Sequence, residues 1–214
     1  MRLLRALLDS PFLRIELYLH QMMPPLLTCL VGKKLCETST QDHWTLRDYV
    51  AETITLISKK YGENYKTLQP RIAKTLVQAF MDMSKPFPTY YGSIVGITGL
   101  GAEVIELLLL PHLDAFYKKV EVEIKSEDLV RQLEGKKCLT ALLGAARVYV
   151  SHLSPEFVQK MREYHKNEET MDIENDEDDK DKTLEYYQQL YEIFGESILP
   201  FASTQKELLT NATI

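Results

Sequence analysis

Residues 42–80 read DHWTLRDYVAETITLISKKYGENYKTLQPRIAKTLVQAF, and the spacing of their apolar positions decides the fold class. From Leu46, the positions Tyr49, Val50, Ile54, Ile57 and Tyr61 follow at i+3, i+4, i+8, i+11 and i+15, a stripe along one side of an α-helix that leaves Lys59 and Lys60 off it. Leu68, Ile72, Leu76 and Phe80 draw a second stripe. Pro70 stands near its start, where a missing N–H has no helical partner to lose. Stripes of this kind bury only part of each helix, so a lone hairpin is unstable and must stack on neighbours.

Outward from this stretch the pattern repeats. Pro25, Pro70, Pro111, Pro155 and Pro200 are 45, 41, 44 and 45 residues apart, in the contexts MMPPLLTCLV, LQPRIAKTLV, LLPHLDAFYK, LSPEFVQKMR and ILPFASTQKE. The period is that of two helices, and each proline is expected to mark the second helix of a hairpin. Leu129, Leu133, Leu139, Leu142, Leu143, Ala146 and Val150 continue the helical spacing, and Leu184, Tyr187, Tyr191, Phe194 and Ile198 resume it. Helix starts are expected at Ser10 before Pro11, Ser126 before Glu127 and Asp128, Ser154 before Pro155, and Thr204 three before Glu207. No alternating β pattern occurs. The fold class is all-α, a HEAT-repeat α-solenoid of about five antiparallel helix pairs forming a single domain over residues 1–214. An irregular helical bundle is the alternative.

Composition agrees. Nine Gly and nine Pro in 214 residues are too few for a barrel or sandwich, and 45% hydrophobic with 26% charged residues excludes wholesale disorder. Cys29, Cys36 and Cys138 form no CxxC pair and make an odd count, which encodes neither a disulfide framework nor a zinc knuckle and suits a reducing intracellular compartment. The N-terminal run MRLLRALLDSPFLRIE reads as an amphipathic helix, its apolar stretch broken by Arg5 and Asp9 before a signal-peptide core forms. Glu103 and Glu106 interrupt the longest apolar stretch, Ile94 to Leu113, so no membrane span is expected and the chain reads as soluble. The net charge of −6 has one origin: nine acids against Lys180 between Asn167 and Asp181 give −8, and the remainder carries +2. Residues 167–182 are expected to form an acidic, flexible loop.

Several words of the sequence are specific. LLRALLDSPFLRIELYLHQMMPPLLTCLVGKKL (3–35), HWTLRDY (43–49), LQPRI (68–72) and YYGSIVGITGLG (90–101) occur in that order. Over Leu3 to Leu113 the chain resembles the carboxy-terminal HEAT-repeat domain of a TATA-binding-protein-associated factor, subunit six of TFIID. The resemblance implies a nuclear, non-catalytic scaffold in transcription initiation by RNA polymerase II, with other TFIID subunits as partners and, in many eukaryotes, subunits of SAGA. Family members begin with a histone fold, whereas Leu3 already matches the HEAT domain. Met1 is therefore expected to mark a shortened form, and pairing with the histone-fold partner does not carry over.

The matching motifs have physical readings of their own. Asp42 is placed to cap a helix beginning near His43 or Trp44, and Trp44 and Tyr49 bring large apolar areas to the core. Arg47 and Asp48 fall on other faces and are read as linking repeats in preference to facing a partner. Gly92, Gly96 and Gly99 share a helix face that lets a neighbour approach closely, and Gly101 suits a helix end. Trp44, Arg47, Asp48, Tyr91 and Gly92 are the candidate interaction or inter-repeat residues.

Catalytic, cofactor and metal sites are not expected, nor a small-molecule substrate or membrane partner. GITGLG lacks the order and the preceding strand of a dinucleotide loop. His20, His43, His112, His152 and His165 show no metal-ligand spacing. Cys29 in an apolar helical run reads as a buried, inert thiol, leaving a Cys-dependent hydrolase as a remote alternative. The basic doublets Lys33–Lys34, Lys59–Lys60, Lys118–Lys119 and Lys136–Lys137 do not follow the repeat and read as solvated helix ends, with a promoter-DNA-contacting arm as the nearer alternative.

Overall fold

A computed structural model describes residues 2–10, 12–38, 41–167 and 178–199. In chain order it contains α1 (Arg2–Asp9), a 3-10 turn (Ile15–Tyr18), α2 (Leu19–Val31), α3 (Trp44–Tyr61), α4 (Leu68–Met81), α5 (Phe87–Leu100), α6 (Ala102–Leu108), a second 3-10 turn (Leu110–His112), α7 (Leu113–Ile124), α8 (Leu129–His152), α9 (Pro155–Asn167), α10 (Asp178–Phe194) and a third 3-10 turn (Gly195–Ile198). The fold is all-α, with no strand among the described residues, as the helical spacing requires. No described helix is long and apolar enough to cross a membrane. The chain divides into two compact units, residues 1–145 and 146–214, with the division inside α8.

In the first unit α5 is the central element. It packs against α2, α3 and α4, and α2 packs on α3. Ten of its residues are buried, from Phe87 to Ile97, so it has no polar face of its own. Against it lie the two stripes read from residues 42–80: Val50, Ile54, Ile57 and Tyr61 of α3, and Ile72, Leu76 and Phe80 of α4, are all buried. Leu46 and Tyr49 lie at the stripe's edge, partly open to solvent. Tyr49 carries the Arg5 guanidinium over its ring at 5.6 Å, and Arg5 also pairs with Glu52 at 2.9 Å. These contacts, with the fully buried Leu8, hold α1 on α3. Lys60 is no idle surface residue, because its Nζ donates to the Leu8 carbonyl and lies over the Tyr61 ring.

The glycine face behaves as its spacing predicts. A Cβ on Gly96 would stand 2.9 Å from Leu30 Cδ2 and 3.0 Å from both Leu76 δ-carbons, and one on Gly99 would stand 2.1 Å from Thr55 Oγ1. Gly101 closes α5 and opens α6 at φ +114°, a conformation that side chains resist. Beyond it, Tyr90 Oη donates to the Asp82 carbonyl at 2.8 Å and accepts from Lys119 Nζ at 2.7 Å, while that ammonium lies 4.3 Å from the Tyr90 ring centre. Arg131 grips Glu123 with two hydrogen bonds of 2.7 and 2.8 Å, fixing the turn from α7 into α8.

In the second unit Ala146, Tyr149 and Val150 of α8, Met161 of α9, Tyr187 and Leu190 of α10, and Ile198 form the buried core. Phe157 meets Tyr187 edge-on at 5.8 Å, and Arg147 Nε donates to the Ser197 carbonyl at 2.8 Å.

Six expectations change. Pro155 does begin a helix and Pro70 is third in α4, but Pro24 and Pro25 lie well inside α2. The proline-bearing helices α2 and α4 also precede α3 and α5, the partners they pack on, where the repeat placed them second. Leu129 and Leu133 are exposed at 79% and 46%, because only the later part of α8 brings its stripe inward. Ser10 closes α1, its N–H bonding the Leu7 carbonyl, and among the described residues no helix follows until Ile15. Asp128 takes the capping role given to Ser126, accepting from Val130 N at 2.8 Å, while Ser154 caps α9 as expected through Phe157 N at 3.2 Å. Of the acidic segment, residues 168–177 lie outside the described residues. Asp178 onward belongs to α10, which replaces the tail of the expected 167–182 loop. Pro200 and Thr204 also lie outside the described residues.

Leu76 is fully buried against Gly96, and Leu129 is open. Chemical denaturation is therefore expected to show Leu76→Ala losing about 2–5 kcal/mol and Leu129→Ala staying within about 0.5 kcal/mol.

Candidate functional site

The five candidate residues meet where the end of α2 touches the first turns of α3 and α5. The site begins with a cap. Asp42 Oδ1 accepts from Trp44 N at 3.0 Å and Thr45 N at 3.2 Å, and Oδ2 accepts from Thr45 Oγ1 at 2.6 Å. These bonds, led by the Thr45 hydroxyl, hold its carboxyl below the usual carboxylate range. The cap fixes the phase of α3, and the phase turns Arg47 inward.

Arg47 is among the largest fully buried side chains of the described residues. Its Nη1 donates to the Leu30 carbonyl and its Nη2 to the Gly32 carbonyl at 2.7 Å, while Nε donates to His43 Nδ1 at 3.3 Å. Leu30 belongs to the last turn of α2 and Gly32 is its C-terminal cap, so the guanidinium occupies the negative end of that helix and pairs carbonyls that no helical N–H reaches. Burial pulls the guanidinium down to about 10, with the cysteine thiols and Glu134 opposing, so it stays charged near neutral pH. Glu134, half-buried, is itself pushed up by burial and by Glu123 and Asp128, with Arg47 acting in the other direction.

Gly92 completes this joint. A Cβ there would stand 1.9 Å from the Leu30 carbonyl oxygen and 3.3 Å from Arg47 Nη1. No residue with a side chain lets α5 approach the α2 terminus while Arg47 holds that carbonyl. On the neighbouring turn, Tyr91 Oη donates to Asp48 Oδ1 at 2.6 Å, and its ring receives Trp44 edge-on at 4.8 Å. Burial, and next the Asp48 bond, push the Tyr91 phenol up. Trp44 also lies against the His43 ring at 4.2 Å.

The structure thus brings all five residues together, with Arg47, Trp44, Tyr91 and Gly92 buried and Asp48 half-buried. What they hold is helix to helix. His43 was the member that its residue type hid: read among scattered histidines, it is the acceptor for Arg47 at i+4, a spacing visible in the sequence. Its Nδ1 lone pair is taken by Arg47, leaving the ring proton on Nε2. Burial first, then the Arg47 charge, holds the imidazolium below its ordinary value. The cysteines differ from one another. Cys138 is buried, donates to the Phe87 carbonyl at 3.4 Å and has its thiol pushed up by burial, whereas Cys29 and Cys36 are half-buried, so Cys29 is less enclosed than its apolar context suggested. Among the described residues no cluster of three or more His, Cys, Asp or Glu is arranged to hold a metal.

Comparison with known proteins follows the same region. Residues 1–114 match the family model of the TAF6 C-terminal HEAT repeat domain. Transcription initiation factor TFIID subunit 6 of Arabidopsis thaliana is 42% identical over 149 residues, 68% of this chain and 27% of that protein. The SAGA complex/transcription factor TFIID complex subunit Taf6 of Schizosaccharomyces pombe is 37% identical over 141 residues, 65% and 31% of the two chains. TFIID subunit 6 of Drosophila melanogaster is 37% identical over 122 residues, 56% and 20%. The chain spans less than a third of the length of each of these relatives.

Two measurements probe the joint. Gly92→Ala is expected to reach or exceed the upper end of the about 1–3 kcal/mol that overpacking costs. By contrast, Gly144→Ala, inside α8 with nothing within 4 Å of its added Cβ, should stabilise by about 0.5–1 kcal/mol. Because the His43 value is lowered on folding, the unfolded chain binds the proton first. The stability it contributes is fully present above its ordinary 6.5 and is lost as pH falls below that value toward the folded one. Urea midpoints at about pH 7.5 and about pH 5.5 should separate more for the unaltered chain than for His43→Gln, which keeps an acceptor and does not titrate.

Proposed function

Because the chain belongs to the family of the TAF6 C-terminal HEAT repeat domain, we propose that it is a non-catalytic scaffold of TFIID, shared with SAGA-type co-activators, that supports transcription initiation in the nucleus. The observation that carries this reading is the match over residues 1–114, the stretch in which the Arg47 joint lies. The names of the relatives in Arabidopsis thaliana and Schizosaccharomyces pombe supply the two assemblies.

The geometry suits the role. Three side chains near the joint with the means for acid–base or nucleophilic chemistry are committed to internal partners: His43 to Arg47, Tyr91 to Asp48, Cys138 to the Phe87 carbonyl. The candidate residues form the frame of the platform, and its working surface lies on the outward faces of the helices they align. Recognition spread over such faces rests on a few anchors among many weak contacts. A DNA-contacting arm draws less support, since Lys60 and Lys119, each half of a basic doublet, are turned onto the Leu8 carbonyl and the Tyr90 ring.

The test is assembly. The tagged 214-residue chain, incubated at native salt with nuclear extract, should recover TFIID subunits identified by mass spectrometry, and Gly92→Ala should reduce that recovery in step with its loss of folded protein. Recovery of no TFIID or SAGA subunit by the folded chain would remove the scaffold reading.

A further inference from the structure

Outside the Arg47 joint the first unit carries a groove of about 700 Å³ between α2 and α4. Its floor is apolar: Met23 and Ile72 are buried and Leu27 and Leu68 half-buried. The two walls run in parallel terms of length. On α2 the lining extends from Leu19 to Val31, thirteen residues, and on α4 from Leu68 to Gln78, eleven residues, or about 18 and about 15 Å at the α-helical rise. That is three helical turns, the span of a short helix laid lengthwise.

The rim is charged unevenly. Arg71 and Lys74, at i and i+3 on α4, are exposed, and no ion pair engages either among the described residues. Lys66 is exposed beside the lining residues Tyr65 and Thr67. Glu16 is the single acid among the lining residues. A hydrophobic floor under an unpaired basic wall is complementary to a helix with apolar residues on one face and carboxylates along the flank that meets α4.

We propose that the α2–α4 groove docks an acidic amphipathic helix of a partner protein, its apolar residues on Met23, Leu27, Leu68 and Ile72 and its carboxylates on Arg71 and Lys74. Nucleic acid is the poorer occupant, because phosphates would engage the rim and leave the floor empty. The proposal deepens the scaffold reading by naming one docking surface and the chemistry of what it holds.

The test uses the 214-residue chain and a fluorescein-labelled, end-capped 15-residue peptide with Leu and Phe at i, i+3, i+4, i+7 and Glu elsewhere. Fluorescence anisotropy should give saturable micromolar binding that weakens with salt. The peptide with Lys in place of Glu should bind at least about tenfold more weakly, as should the acidic peptide to R71E/K74E. R71E/K74E in turn should prefer the lysine peptide, a reversal that a merely misfolded variant does not show, and its circular dichroism should match the unaltered chain. Absence of saturable binding, equal binding by a scrambled peptide of the same composition, equal binding to R71E/K74E, or equal displacement by a 15-base-pair DNA duplex would each overturn the proposal. Failure of the peptide with recovery of TFIID subunits intact removes the groove alone; peptide binding without any subunit recovery removes the scaffold reading and leaves the groove.

Discussion

A guanidinium taken fully out of water sets the terms for the first unit. Sequestering an ion costs several kcal/mol even after relaxation, and that cost is met only where its donors are paired with good geometry. Among the described residues no carboxylate lies within bonding distance of Arg47; its partners are two main-chain carbonyls and an imidazole lone pair. The carbonyls, however, are those at the end of α2, where unpaired C=O groups sum to a partial negative charge. Each side therefore solves the other's problem. The helix end would be unsatisfied against α5 without the cation, and the cation would be unpaired without the helix end. Three elements are fixed at once: α3 supplies the side chain, α2 the acceptors, and α5 must come to the joint with a glycine, since Gly92 leaves room for the Leu30 oxygen alone.

The same dependence explains why the joint was only half legible. Periodicity reports which side of a helix is apolar, and it identified the inward faces of α3 and α4 correctly at Val50, Ile54, Ile57, Ile72, Leu76 and Phe80. It also recognised the Asp42 cap and the close-approach face of Gly92, Gly96 and Gly99, because these depend on local spacing. Backbone carbonyls have no letter. That Arg47 is wholly interior, with Leu30 and Gly32 as partners 17 and 15 residues away, follows only once α2 and α3 are packed. For the same reason Lys60 read as a solvated lysine although its ammonium serves the Leu8 carbonyl 52 residues earlier. Leu129 and Leu133 failed in the opposite direction: the spacing is helical, but a stripe needs a neighbour to bury it, and theirs begins further along α8.

Prolines carried the repeat in the sequence and take a different part in the fold. Pro24 and Pro25 lack the N–H groups that would bond the His20 and Gln21 carbonyls, which weakens α2 along its middle. The Thr28 hydroxyl bonds the Pro24 carbonyl at 2.9 Å, a contact that reaches neither the His20 nor the Gln21 carbonyl and favours bending of the helix there. A helix weakened this way relies on its neighbours for its course, and α2 has α3 and α5 packed along it and Arg47 at its end. The position of the prolines is thus tolerable because tertiary contacts, rather than the helix's own ladder, define where α2 lies.

That matters for the groove, because α2 forms one of its walls. The lining ends at Val31, between the two residues whose carbonyls Arg47 holds. Association always costs the ordering of whatever was mobile beforehand, so a wall that is already held binds more tightly than the same residues on a loose helix. The opposite wall is held as well, since Ile72 and Leu76 of α4 are buried and Leu76 packs against Gly96 of α5. Both walls are therefore referred to α5, one through the polar joint and one through apolar packing. The interior cation that touches no partner acts on binding all the same, by fixing the separation at which Met23 and Leu27 face Leu68 and Ile72.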